Sequence, residues 1–182
     1  GFCIMYFGSK SDGKDRIEIG NLVREIEYDN EKSLQAHTNY VEQGSVRKMS
    51  LPSSELEQAF TGTYKERGAT GHTYYTLQML KPDDSTSSLG SFKGYGWDQD
   101  GQFLIRNAVF SSKTGKFAWA EHSLRSNLVA TCEVECVDEA CIEMKGFYRA
   151  STGLNGSLRL TRKLARDEKT KRQKAMGFSI SS

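Results

Sequence analysis

Between Phe60 and Leu160 apolar and polar side chains alternate in eight short runs, punctuated by Gly, Asn, Asp and Ser. A period of two places every second side chain on one face, which marks half-buried β-strands. The runs predict strands at 59–65 (Phe60, Gly62, Tyr64 on one face), 72–81 (Tyr75, Leu77, Met79), 89–97 (Phe92, Gly94, Gly96, with Tyr95 and Trp97 opposite) and 102–110 (Phe103, Ile105, Val109). They continue at 116–122 (Phe117, Trp119), 127–136 (Leu128, Ala130, Cys132, Val134), 141–150 (Ile142, Met144, Gly146, Tyr148) and 156–162 (Leu158, Leu160). Most connections are short, so sequential neighbours pair as an antiparallel meander. Eight such strands close into a barrel and leave no edge exposed. The expected fold is therefore all-β, an eight-stranded antiparallel barrel. Gly62, Gly94, Gly96 and Gly146 fall on faces otherwise carrying Phe, Tyr and Met, where a missing side chain permits a bend or a close approach. Phe60-x-Gly62-x-Tyr64, Phe92-x-Gly94-x-Gly96 and Met144-x-Gly146-x-Tyr148 share one weak pattern at uneven spacing, too irregular for a repeat protein.

The alternation covers residues 53–163 and leaves an extension at 1–52 and a tail at 164–182. Gly1 to Gly8 is apolar but far shorter than the roughly 20 residues that cross a bilayer. Three readings stand for it: the end of a membrane or targeting segment, a terminus acylated at Gly1 and palmitoylated at Cys3, or a segment packed on the domain or a partner. For the second, Met5 occupies the place where the myristoylation pattern takes Ser or Thr. Residues 9–16 read as a polar loop. Ile19, Leu22, Val23 and Ile26 follow helical spacing interrupted at Gly20, and Ile17 and Ile19 equally suit a strand start. Residues 27–50 carry few large apolar side chains and read as an irregular or weakly helical arm, closed by Pro52 and expected to lie on a partner. Leu160 and Leu164 permit a short helix running out of the last strand.

Hydrophobic residues make up 37% of the 182-residue chain, a low share that places part of it outside a core. The net charge of +2 discriminates nothing, but its distribution does. Residues 12–60 hold ten acidic and six basic side chains, whereas 159–174 hold eight basic and two acidic. Arg159, Arg162, Lys163, Arg166, Lys169, Lys171, Arg172 and Lys174 thus form a candidate interaction tail, suited to an anionic membrane surface or an acidic protein. No aromatics interleave with them, so nucleic acid is not favoured.

Cys132, Cys136 and Cys141 lack the paired spacing and histidines of a zinc site. Cys136 and Cys141 flank a hairpin loop at 137–140. They either pair across it in an oxidising compartment or remain buried thiols, the favoured expectation. Asp98-Gln99-Asp100-Gly101 reads as a hairpin turn rather than a calcium loop, and Asn155-Gly156-Ser157 as a turn rather than a glycosylation site. No nucleophile, phosphate-loop or dinucleotide motif is present, so no catalytic residue, metal or cofactor is assigned. The adjacent Glu121 and His122 are the acid/base candidates. Tyr75, Tyr95, Trp97, Phe103 and Trp119 either line a pocket or fill the barrel, filling being the expectation.

Phe60-Thr-Gly-Thr-Tyr64, then Gly90-x-x-x-Gly94-x-Gly96-x-Asp98-x-x-Gly101-x-Phe103, then Lys116-Phe-Ala-Trp119 resemble the calycin group of small barrels, which includes lipocalin-like, fatty-acid-binding-like and avidin-like modules. The resemblance covers about residues 56–163, with Tyr64 where lipocalins open on Gly-x-Trp. It implies a barrel interior able to carry a small apolar ligand among Tyr75, Phe92, Phe103, Trp119 and Tyr148. The extensions point elsewhere, to a non-enzymatic accessory subunit bound to protein partners in a larger assembly, membrane-associated or organellar in setting. That is the leading expectation; the ligand carrier is the alternative, and a barrel enzyme using Glu121 and His122 the third.

Overall fold

The computed structural model describes residues 30–47, 49, 57–80 and 88–163. Helix α1 spans residues 30–42. Eight strands follow: β1 (Gln58–Glu66), β2 (Ala69–Leu80), β3 (Leu89–Asp98), β4 (Gly101–Ser111), β5 (Lys116–Ser123), β6 (Val129–Cys136), β7 (Glu143–Ala150) and β8 (Asn155–Arg162). Each pairs antiparallel with its sequence neighbour, and β8 returns to β1 with Leu160 opposite Gly62 and Leu158 opposite Tyr64. The sheet is a closed barrel, as the alternation predicts.

Closure demands that the chain fill its own interior. Phe60, Leu77, Phe110, Phe117, Trp119, Val134, Met144 and Leu160 do so in one continuous core. Glycines make room where strands or rings come too close for a Cβ. At Gly94 a Cβ would stand 2.1 Å from the Thr76 carbonyl oxygen, and at Gly96 2.4 Å from the Phe103 ring. These inward glycines are therefore steric requirements of closure.

One strand departs from simple alternation. Ile105 pairs with Gly94 but Ala108 with Phe92, and Arg106 pairs with Ala120 but Val109 with Ala118. β4 thus carries one extra residue, a β-bulge, at whose centre Asn107 adopts φ +50°. Asparagine tolerates this left-handed conformation better than most residues. The bulge corrects the expected face of β4: Ala108 and Phe110 turn inward, and Val109 turns outward. There Val109 and Ala118 meet Val41 of α1 in a small second core.

Helix α1 is fastened over this bulge. The His37 ring, 1% exposed, lies with Nδ1 2.8 Å from the Asn107 carbonyl oxygen. Asn107 Nδ2 donates to the Asn30 carbonyl, and Thr114 Oγ1 to the Val41 carbonyl. This part of the arm therefore docks on its own barrel, anchored by few apolar side chains and several hydrogen bonds. Beyond it, Arg47 Nη1 donates to the Cys136 carbonyl, and Met49 packs into the barrel core. The readings of residues 1–29, the basic segment from 164 onward and its possible helix lie outside the described residues. Arg159 and Arg162, counted with the tail, belong to β8; Arg162 is 7% exposed and its Nη1 donates to Gln58 Oε1. Asn155 and Gly156 open β8 opposite Arg149 and Tyr148, so the turn precedes them, at 151–154.

The dock over the bulge has a pH signature. Burial pushes His37 below its ordinary pKa of 6.5, and the Asn107 contact and the charge of Glu133 only partly offset this. The folded state therefore favours neutral His37, and the unfolded chain binds the proton more readily. The contribution is fully present above pH 6.5 and is lost as the pH falls through 6.5 towards the lower folded value. Urea denaturation at pH 8 and at pH 5 should show a stability loss in the native chain that is smaller in His37→Gln.

Candidate functional site

The two ends of the barrel differ. At the end of the β4–β5 and β6–β7 loops the interior is sealed by Phe110, Phe117, Met144, Leu160 and Met49. Cys136 and Cys141 are joined there in a disulfide with Cα atoms 4.9 Å apart, which corrects the expectation of free thiols. Asp138 holds the loop between them, its carboxylate accepting the backbone N–H groups of Ala140, Ile142 and Glu143. Cys132 remains a free, buried thiol.

At the other end, beneath the β1–β2, β3–β4, β5–β6 and β7–β8 connections, the inward polar side chains include Tyr64, Glu66, Thr73, Asp98, Glu121 and Tyr148. Five of these six are only half-buried, so this end is the mouth; Thr73 is 2% exposed. The strand registers bring them together. Tyr64 faces Gly71, where a Cβ would stand 2.2 Å from the ring, so glycine lets the phenol lie across the mouth. The Tyr64 and Tyr148 rings meet edge to face at 5.9 Å. Tyr148 donates its hydroxyl to Glu66 Oε2 at 2.6 Å. Asp98 faces Thr73 and accepts the backbone N–H groups of Asp100 and Gly101, which forms the expected hairpin turn.

Below the mouth sits Glu121. Its Oε1 accepts the Tyr75 hydroxyl at 2.7 Å, the Trp119 indole N–H at 3.0 Å and the Cys132 thiol at 3.2 Å. These donors are 3%, 1% and 1% exposed, so Oε1 lies in the low-dielectric interior. Burial pushes the Glu121 carboxyl above the ordinary range, against the pull of its three donors. Burial likewise pushes the Tyr75 phenol and Cys132 thiol well up, with the nearby Glu121 charge adding to both. Tyr64 is raised to about 12, mainly by burial, and Asp98 is raised by burial as well.

Two hydroxyls here are poorly satisfied. Tyr64 Oη and Thr73 Oγ1 are buried and make no hydrogen bond of good geometry, Thr73 Oγ1 having only a looser contact with the Tyr75 hydroxyl. A buried hydroxyl without a partner carries the desolvation cost of an unmade bond, and native structures hold few.

Of the proposed interior residues, Tyr75, Phe103 and Trp119 are buried together, with ring centroids 5.5 and 5.7 Å from Tyr75. Phe92 and Tyr148 pack against the same core, Phe92 near the sealed end and Tyr148 at the mouth. Tyr95 and Trp97 lie on the outer face, 50% and 44% exposed, and line no interior pocket. Glu121 and His122 are separated by the strand alternation. Glu121 faces inward, while His122 borders an outer groove of about 900 Å³ between α1 and β5–β7, beside Lys32 and Arg149. Burial and the charge of Arg106 lower the His122 pKa. The two side chains do not form an acid/base pair. Sequence reasoning missed the Glu121 network and Thr73; the only signal was an acidic residue at an inward position of β5, in register with Trp119. No protein-family model and no curated protein matches this chain.

The hydroxyls of Tyr75 and Thr73 predict opposite mutational results. Tyr75→Phe removes a donor from a buried carboxyl and should cost about 1–3 kcal/mol in urea denaturation. Thr73→Val removes a buried hydroxyl that makes no hydrogen bond of good geometry and should leave stability unchanged or raise it.

Proposed function

We propose that this protein is a small-molecule binding barrel of calycin type, taking its ligand through the mouth framed by Tyr64, Glu66, Asp98 and Tyr148. The observation that carries this reading is the pair of buried hydroxyls without a hydrogen bond of good geometry, Thr73 Oγ1 and Tyr64 Oη, at the half-open end that also holds Glu66, Asp98 and Tyr148. Tyr75, Phe103 and Trp119 provide the apolar wall and three convergent polar groups the orientation, the usual composition of a ligand site.

The chain's two tryptophans divide the readout, one outside and one inside. In a Trp97→Phe protein only Trp119 reports. Screening it against small molecules with a polar head on an apolar body should give a saturable fluorescence change for at least one class, weakened about fivefold or more by Thr73→Val. Silence across a broad panel would end this reading.

A second reading, the accessory subunit, is favoured by a separate surface. Tyr74 stacks on Trp97 at 5.1 Å on the outer face of β2 and β3, beside Tyr95, and all three are more than a third exposed. Exposed Tyr and Trp clusters are typical centres of protein interfaces. If this face docks a partner, the native protein should run in a larger complex when extracted gently from its cells, and Trp97→Ala should release it. A free species of about 20 kDa (the chain is 20.4 kDa) would remove this reading.

A further inference from the structure

We propose that the ligand of the barrel mouth is a cation, a protonated amine or guanidinium carried on a compact apolar or aromatic body. The inference rests on the mouth being the ligand site and names the chemistry that would be recognised there.

The inward register of the mouth half brings together Glu66, Asp98 and Glu121 and, among the described residues, no lysine or arginine. The inward cation, Arg162, lies at the far end of β8, opposite Phe60. Lys65, Arg67, Lys93, Arg125 and Arg149 are exposed on the outer face or the mouth loops. Natural interiors rarely collect carboxyls of one sign without a counter-charge. Acidic groups alone would not make a site, but in register with Asp98 lies Thr73, 2% exposed, whose hydroxyl makes no hydrogen bond of good geometry.

The placement of lone pairs fits the same ligand. All three donors to Glu121 converge on Oε1, and no described group bonds to Oε2. Tyr64 Oη, Thr73 Oγ1 and Glu121 Oε2 are thus three oxygens able to accept N–H bonds. An ammonium offers three donors and no acceptor, the complement of this arrangement. The walls add to it. Tyr64, Tyr75, Tyr148 and Trp119 present aromatic rings, whose negative faces attract cations most strongly where water is excluded. A carboxylate or phosphate entering the same space would meet three acidic groups, and a neutral alcohol would leave their charge unbalanced.

The groups titrating around the ligand are Glu66, Asp98, Glu121, Tyr64, Tyr75, Tyr148 and Cys132. Burial raises Asp98 and Glu121 above the ordinary carboxyl range. A bound cation favours their ionised form and opposes that rise.

The test is isothermal titration of the full chain with a matched set: 2-phenylethylamine, 2-phenylethanol and phenylacetate, then hexylamine, hexanol and hexanoate. The expected result is amine binding at least tenfold tighter than the matched alcohol or carboxylate. Glu121→Gln and Asp98→Asn should each weaken the amine at least tenfold and leave the alcohol unchanged. If Glu121→Gln does not fold, Asp98→Asn and Glu66→Gln carry the same comparison. Alcohol or carboxylate binding as tight as the amine overturns the cation while leaving the binding barrel standing. Amine binding undiminished in every folded carboxyl variant places the amine elsewhere and also overturns it. If no member binds, the cation falls, and the broader screen with Trp119 as reporter decides separately whether the binding barrel falls with it.

Discussion

Pairing of β8 with β1 is the constraint from which the other features follow. A sheet of eight strands closed on itself has an interior just wide enough for its own side chains or for one small ligand, and every inward position must be filled or vacated. The glycines at 94, 96 and 146 answer that demand, since a Cβ at each would strike a neighbouring carbonyl or ring at 2.0–2.4 Å. The aromatic run Phe92, Phe110, Phe117 and Trp119 fills the sealed half, its successive ring centroids 4.8–6.5 Å apart. Met49 and the Cys136–Cys141 hairpin finish that end.

The mouth half obeys a different logic. Burying a carboxyl is costly unless its oxygens are bonded, and Glu121 meets the cost with three donors on one oxygen. A structural solution would have used an apolar residue at this point of β5. The acid, two phenols, a thiol and a buried threonine hydroxyl are gathered instead in this half of the barrel. The sealed end and the helix clamp are held by apolar contacts and hydrogen bonds to backbone carbonyls; the mouth keeps the polar groups.

Much of the architecture was legible in the alternation, because a period of two leaves little choice of fold once eight runs are joined by short connections. What escaped was local. The bulge hides in Arg106-Asn107, two successive polar residues that shift the inward set from Phe103 and Ile105 to Ala108 and Phe110. A strict period-two reading continues to Val109 and puts it on the wrong face. Helix α1 looked too polar to dock because its contact surface is small, Val41 and a buried histidine, and its fastening depends on a backbone carbonyl exposed by that bulge. The interior aromatics were legible as a set. The Glu121 network was not, since it depends on which three donors the closed registers bring to one oxygen, and a partner so assembled leaves no mark in linear spacing. The disulfide lay between two readings that spacing alone does not separate.

The central claim is that the closed barrel holds an acidic side chain in its interior, below a mouth. Site-selective ¹³C-carboxyl NMR of Glu121, assigned with Glu121→Gln, measures this directly. The account predicts a titration midpoint above the ordinary 4.5, moved further up in Tyr75→Phe, which loses one donor to the ionised form. A midpoint at or below 4.5 that ignores Tyr75 would mean that the carboxyl is solvated, and would contradict the account.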